Sequence, residues 1–137
     1  MFSMVDRGTV YLEKAEESVA GAQSEFVNGR YNNCANRAYY ACFQAAVHAL
    51  LEAGIPPPKS TEQWGHGFVQ ARFNGDLINR RKRYPPDIRG TLENNCRLRA
   101  RADYDRLQIV TEVQAARAVR RAEAFVAAVA QAEGRRQ

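Results

Sequence analysis

Three arginines at alternate positions, Arg97, Arg99 and Arg101, lead directly into Asp103, Tyr104 and Asp105. Clustered cations are unfavourable on a helix unless something anionic compensates them. A phosphate ligand would do so, and so would the local aspartates. Arginine grips phosphate through paired N–H donors, and a neighbouring tyrosine can donate a hydrogen bond or stack. The same groups suit RNA cleavage, where arginine stabilises charge developing on phosphorus. Cleavage also needs a base for the 2′-hydroxyl proton. Histidine is best suited to that task, whereas a tyrosine, with a pKa of about 10, is a poor base. No histidine lies in or near the stretch.

Helical geometry sorts these residues. At about 100° per residue, Arg97, Arg101 and Tyr104 fall at i, i+4 and i+7 on one stripe. Arg99 and Asp103 are four apart on another face and can pair, as can Asp103 with Arg106 and Glu93 with Arg97. Arg101 and Tyr104 are left as the groups with least local explanation. The candidate phosphate-binding set is therefore Arg97, Arg99 and Arg101, with Tyr104 and Asp103 beside them.

The elements that position this stretch read as helical almost throughout. Leu12, Ala15, Val19, Ala22 and Phe26 recur at steps of three and four, and Asn28-Gly29 ends that helix. From Tyr31 to Leu51 two adjacent apolar positions recur on every turn, the pattern of a central helix, which Gly54 and Pro56-Pro57-Pro58 stop. Ser60 or Thr61 is the candidate cap of a short helix through Phe68, Val69 and Phe73, ending near Asn74-Gly75. Arg80-Arg81-Lys82-Arg83, ahead of Tyr84-Pro85-Pro86, reads as an exposed basic loop. Asp87 is the candidate cap of a helix carrying Ile88, Leu92 and Cys96 into the arginine stretch. A last helix spans about Thr111 to Glu133, with Val113, Ala122, Val126 and Val129 inward. The expected fold is all-α, an antiparallel bundle of four long helices and one short one.

Bulk properties agree with one soluble unit. A chain of 137 residues suits a single domain with one core, here placed at about 8–133. No apolar run approaches the roughly 20 residues of a membrane span, and no signal-peptide pattern opens the chain. Between Arg72 and Arg106, ten Arg or Lys face five Asp or Glu, while the remainder balances, so the net charge of +5 belongs to this third. That asymmetry points to an anionic partner. Cys34, Cys42 and Cys96 lack a C-x-x-C spacing and read as reduced core residues of a cytoplasmic protein. His48 reads as a helix-flank histidine on the stripe of Tyr40 and Gln44. His66, between glycines in Trp64-Gly65-His66-Gly67, can approach a site from a loop. Neither has a metal-ligand spacing, and no metal or cofactor is expected.

The sequence resembles the HEPN domain, the higher-eukaryote and prokaryote nucleotide-binding family of small helical bundles, over roughly Tyr11 to Val129. The likeness rests on Leu12-Glu13-Lys14-Ala15-Glu16-Glu17, Gly29-Arg30-Tyr31, Asn36-Arg37-Ala38-Tyr39-Tyr40-Ala41-Cys42-Phe43, Gly54-Ile55 with Pro58-Lys59, and the ending Ala102-Asp103-Tyr104-Asp105. The resemblance implies a homodimer whose arginine motifs face a shared cleft, and a metal-independent ribonuclease acting as a toxin or in defence. It also implies a minimal nucleotidyltransferase antitoxin encoded alongside, able to modify a tyrosine such as Tyr104. The family signature is Arg-x(4–6)-His. Here Ala102 stands in the histidine position counted from Arg97, and Tyr104 stands there counted from Arg99. Ala100 replaces the polar residue that often follows the arginine, and Lys59-Ser60-Thr61-Glu62 departs from the Lys-Thr-His of many relatives.

Three functions follow. In the first, a toxin-like ribonuclease or RNA binder, Arg99, Tyr104 and Asp103 are the catalytic candidates, and Arg97, Arg99 and Arg101 hold phosphate. In the second, a silent module uses the same arginines to bind nucleotide or substrate for a nucleotidyltransferase. In the third, the chain is a dimerisation subunit with its arginines salt-bridged.

Overall fold

The computed structural model describes residues 4–58, 63–104 and 109–136. Five α-helices follow one another: α1 (Met4–Val27), α2 (Tyr31–Glu52), α3 (His66–Arg72), α4 (Thr91–Tyr104) and α5 (Glu112–Arg136). Four are long and α3 is short, and no strand occurs among the described residues, so the fold is the expected all-α, HEPN-like bundle. Among those residues no helix is long and apolar enough to cross a membrane.

Helix α2 is central because its apolar positions surround it. Cys34, Ala35, Ala38, Tyr39, Ala41, Cys42 and the whole run Ala45–Leu51 are buried, and α2 packs against α1, α3, α4 and α5. Its many alanines let the neighbouring helices approach closely, since they carry little volume and cost no side-chain entropy. Both predicted stops hold. Gly29 and Gly54 take φ of +74° and +80°, the left-handed conformation that glycine adopts without a Cβ clash. The N–H of Ile55 then reaches back to the Leu50 carbonyl at 2.8 Å.

The middle of the chain differs from the sequence reading in three places. The short helix does not end near Asn74-Gly75 but runs on as a π-helix over Phe73–Arg80. Phe73 holds this wider turn in place: fully buried, it lies 5.1 Å from Tyr84 and 5.0 Å from Phe125, ring centre to ring centre. Tyr84 is accordingly buried, although Arg81, Lys82 and Arg83 around it are exposed as expected. Asp87 does not cap α4. It lies in a turn of 3₁₀ helix, Pro86–Ile88, and α4 starts only at Thr91. The proposed caps Ser60 and Thr61 lie outside the described residues, and neither caps the short helix, since α3 begins at His66 with Gly65 in the cap position.

Helix α5 opens with a reciprocal cap. The Gln114 N–H donates to Thr111 Oγ1 at 3.1 Å, and the Thr111 N–H donates to Gln114 Oε1 at 3.0 Å, satisfying two donors that a helix start leaves open. Val113 falls within this first turn and is 59 % exposed, not inward as predicted. Ala122, Val126 and Val129 do face the core. Thr111→Ala is expected to destabilise the fold by about 1 kcal/mol, read as a lower midpoint in urea; an unchanged midpoint would show that the cap is redundant.

Candidate functional site

The three arginines of α4 separate. Arg99 turns inward and is only 8 % exposed, whereas Arg97 and Arg101 face solvent on the flank next to α5. Asn95 fixes the rotation of α4 that causes this. It is fully buried, donates to the Ala118 carbonyl at 3.3 Å and to Cys42 Sγ at 3.5 Å, and accepts from Arg121 Nε at 2.8 Å. One amide thus ties α4 to both α2 and α5.

Around Arg99 the site is built mainly from α2. Its guanidinium carbon lies 5.0 Å from the Tyr39 ring centre, 5.9 Å from that of Tyr40 and 5.9 Å from that of Tyr104. Aromatic faces attract a cation and make its partial desolvation tolerable. One nitrogen sits 3.6 Å from Asp103 Oδ2, the predicted pair, and Asn36 donates to that same oxygen at 3.2 Å. Arg37 donates to Asn36 Oδ1 at 2.8 Å and lies over Tyr40. Burial weighs against the Arg99 charge, but Cys96, Tyr40 and Asp103 together outweigh it and raise its pKa. The buried Nε of Arg99 has no hydrogen-bond partner among the described residues.

A histidine stands at this site, brought from elsewhere in the chain. His66, the first residue of α3, places Nε2 3.3 Å from an Arg99 nitrogen, and its Nδ1 meets the Tyr39 hydroxyl in a short contact. Its ring also packs 5.5 Å from that of Phe43. An arginine has only protons to offer, so Nε2 must present its lone pair and Nδ1 carries the hydrogen, donating to Tyr39. Burial, and then Arg99, lower the His66 pKa, which keeps the ring neutral at physiological pH. The residue remains open to solvent.

Sequence reasoning passed over His66 as a partner of the arginines. The signal was present, because His66, Val69 and Phe73 stand at i, i+3 and i+7, and Val69 and Phe73 are core residues. The histidine therefore heads the inward stripe of α3.

Other predicted positions fall out as follows. Arg97 pairs with Glu93 as expected. Tyr104 ends α4 exposed, as Arg97 and Arg101 are, and its ring lies 5.9 Å from the Arg99 guanidinium carbon. Asp105 and Arg106, and with them the Asp103–Arg106 pair, lie outside the described residues. Cys34 and Cys42 are buried and free, while Cys96 is only partly buried. Burial pushes the Cys34 thiol up to about 11 and the Cys42 thiol up to about 12, so neither is nucleophilic at neutral pH.

His48 is not on a helix flank. It is 1 % exposed, with Nε2 3.3 Å from Glu133 on α5. Glu52, one turn further on α2, completes a group whose ligand atoms all lie within 4.8 Å of one another. Among the described residues these three could hold a metal ion, and the His48–Glu133 contact joins α2 to α5.

The HEPN domain profile matches residues 9–133. A Methanocaldococcus jannaschii protein named as a putative toxin is 33% identical over 116 residues, covering 84% of this chain and 80% of that protein. A UPF0332 protein of Archaeoglobus fulgidus is 42% identical over 50 residues, 36% of this chain and 40% of its own length. With its helices in the expected order and the profile spanning nearly its whole length, the chain belongs to the HEPN domain family.

Proposed function

We propose that the protein is a toxin-like, metal-independent endoribonuclease whose base is His66 and whose phosphate ligand is Arg99. The observation that carries this reading is the 3.3 Å approach of His66 Nε2 to the buried Arg99. In the reaction, the substrate phosphate takes over the Arg99 donor that meets His66. The freed Nε2 of His66 takes the proton from a ribose 2′-hydroxyl, and the 2′-oxygen attacks the adjacent phosphorus. The bond to the 5′-oxygen breaks, and that oxygen takes up a proton at the solvent-open edge of the site. The products are a 2′,3′-cyclic phosphate and a 5′-hydroxyl end. Arg99 stabilises the charge that grows on the phosphoryl oxygens, using donors already oriented before the reaction. Tyr39, only 2 % exposed, is a positioning residue that fixes the His66 tautomer. Asp103 and Asn36 position Arg99.

The similarity to a protein named as a putative toxin supports the toxin-like role and an antitoxin partner. Tyr104 is the residue that a nucleotidyltransferase antitoxin would modify. The residue is 74 % exposed, and a nucleotide attached to its phenol would set a phosphate beside Arg99 and block the site. In the homodimer, the arginine sites of two copies would share one cleft.

The test is incubation of purified protein with single-stranded RNA in EDTA. Cleavage is expected, with cyclic-phosphate and 5′-hydroxyl ends identified by mass spectrometry. Intact RNA at large protein excess would instead favour a silent module that binds nucleotide or substrate through the same arginine.

A further inference from the structure

Arg97 and Arg101 of α4 line a groove of about 360 Å³ with Arg117 and Arg121 of α5. Each helix contributes two arginines four residues apart, about 6 Å along its axis. The sequence stretch that drew attention to α4 gave no hint of the α5 pair.

Compensation in this groove is thin. Glu93 pairs with Arg97, and Arg121 gives its Nε to the uncharged amide of Asn95. Among the described residues no carboxylate forms an ion pair with Arg101, Arg117 or Arg121. Burial lowers the Arg121 pKa, and repulsion from Arg117 adds to that, against an opposing contribution from Cys42. Like charges at i, i+4 disfavour a helix, so the arrangement costs stability unless an anion fills it. The other walls include Gln114 and the buried Leu98. No exposed aromatic or large apolar side chain lines the groove, and such anchors are what a protein interface is usually built on. A chain of phosphates fits better than an acidic protein.

We propose that this groove binds the phosphate backbone of single-stranded RNA beside the cleaved bond, as a second anion site separated from Arg99 by the body of α4. The inference rests on RNA being the substrate. It adds that affinity and cleavage reside on opposite flanks of one helix.

The experiment uses a fluorescent 2′-O-methyl RNA, which lacks the attacking hydroxyl, and measures binding by anisotropy across a salt series. Arg101 and Arg117 are exposed, so R101Q/R117Q is expected to fold and to melt at or slightly above the wild-type temperature, because it relieves like-charge repulsion on both helices. It should bind about tenfold more weakly at moderate salt, with the slope of log affinity against log salt reduced by about 1.4. H66Q should bind like wild type. Unchanged affinity and slope in R101Q/R117Q would overturn the groove assignment, as would wild-type protein that binds polyglutamate but not this RNA. If the wild type and H66Q both bind, R101Q/R117Q loses binding, and natural RNA stays intact, the groove stands and only the cleavage reading fails.

Discussion

RNA cleavage by the Arg99→Ala protein is expected to fall by about 10²–10³-fold in metal-free buffer, mostly in kcat, because a preorganised charge donor is removed from the transition state. The effect should exceed that of any other single arginine replacement. Arg99 is the buried arginine of α4, held among tyrosines with Asp103 and His66 at its edges. Lysine at this position restores the charge without the planar fork and should recover little activity. A circular dichroism melt separates loss of chemistry from loss of fold, since the tyrosine cage is left with a small void. Cleavage unchanged in a folded Arg99→Ala protein would remove Arg99 from the mechanism.

His66→Gln is expected to cost about 10²–10⁴-fold, the usual worth of a positioned general base, and to change the pH profile as well as the rate. The proposed mechanism requires a neutral His66, and the pKa of His66 is lowered by burial and by Arg99. Activity should therefore rise with pH through a single ionisation below about 6.5, the ordinary histidine value, and be level above it. The same shift affects folding in the same direction: the lowered pKa stabilises the folded state above the unfolded histidine pKa, and this contribution fades as pH falls through the folded value. In His66→Gln the acidic limb of the rate profile should vanish. An acidic limb that survives in the variant would assign it to another group and leave His66 without a catalytic role.

Much of the bundle was legible in the sequence because helix faces and stops are local properties. The apolar steps of α1 and the doubled steps of α2 follow from the 3.6-residue turn, and Gly29 and Gly54 adopt the backbone angles their positions imply. The Arg99–Asp103 and Arg97–Glu93 pairs are local in the same sense. What stayed hidden depends on contacts between distant segments. Phe73 continues α3 as a π-helix by packing on Tyr84 and Phe125, and local pattern carries no trace of either. Asn95 decides which arginine of α4 turns inward by meeting Ala118 and Cys42. The histidine missing from the arginine stretch is supplied across 33 residues, so no motif written along the chain contains it.

The π-helix over Phe73–Arg80 makes the aim of His66 a matter of phase. Such a segment holds more residues per turn than an α-helix, as if one had been inserted. Its downstream end is anchored by the core contacts of Leu77, Ile78 and Tyr84, and its upstream end carries α3 with His66 at the tip. Adding or losing a single residue here would rotate everything upstream by about 100° and turn the imidazole away from Arg99. Side-chain exchanges at the exposed positions of the segment, Asn79 and Arg80, would leave that angle alone. The segment is thus permissive to changes of spelling and intolerant of changes in length, so the distance in residues from Phe73 to Tyr84 is as much a part of the site as the histidine itself.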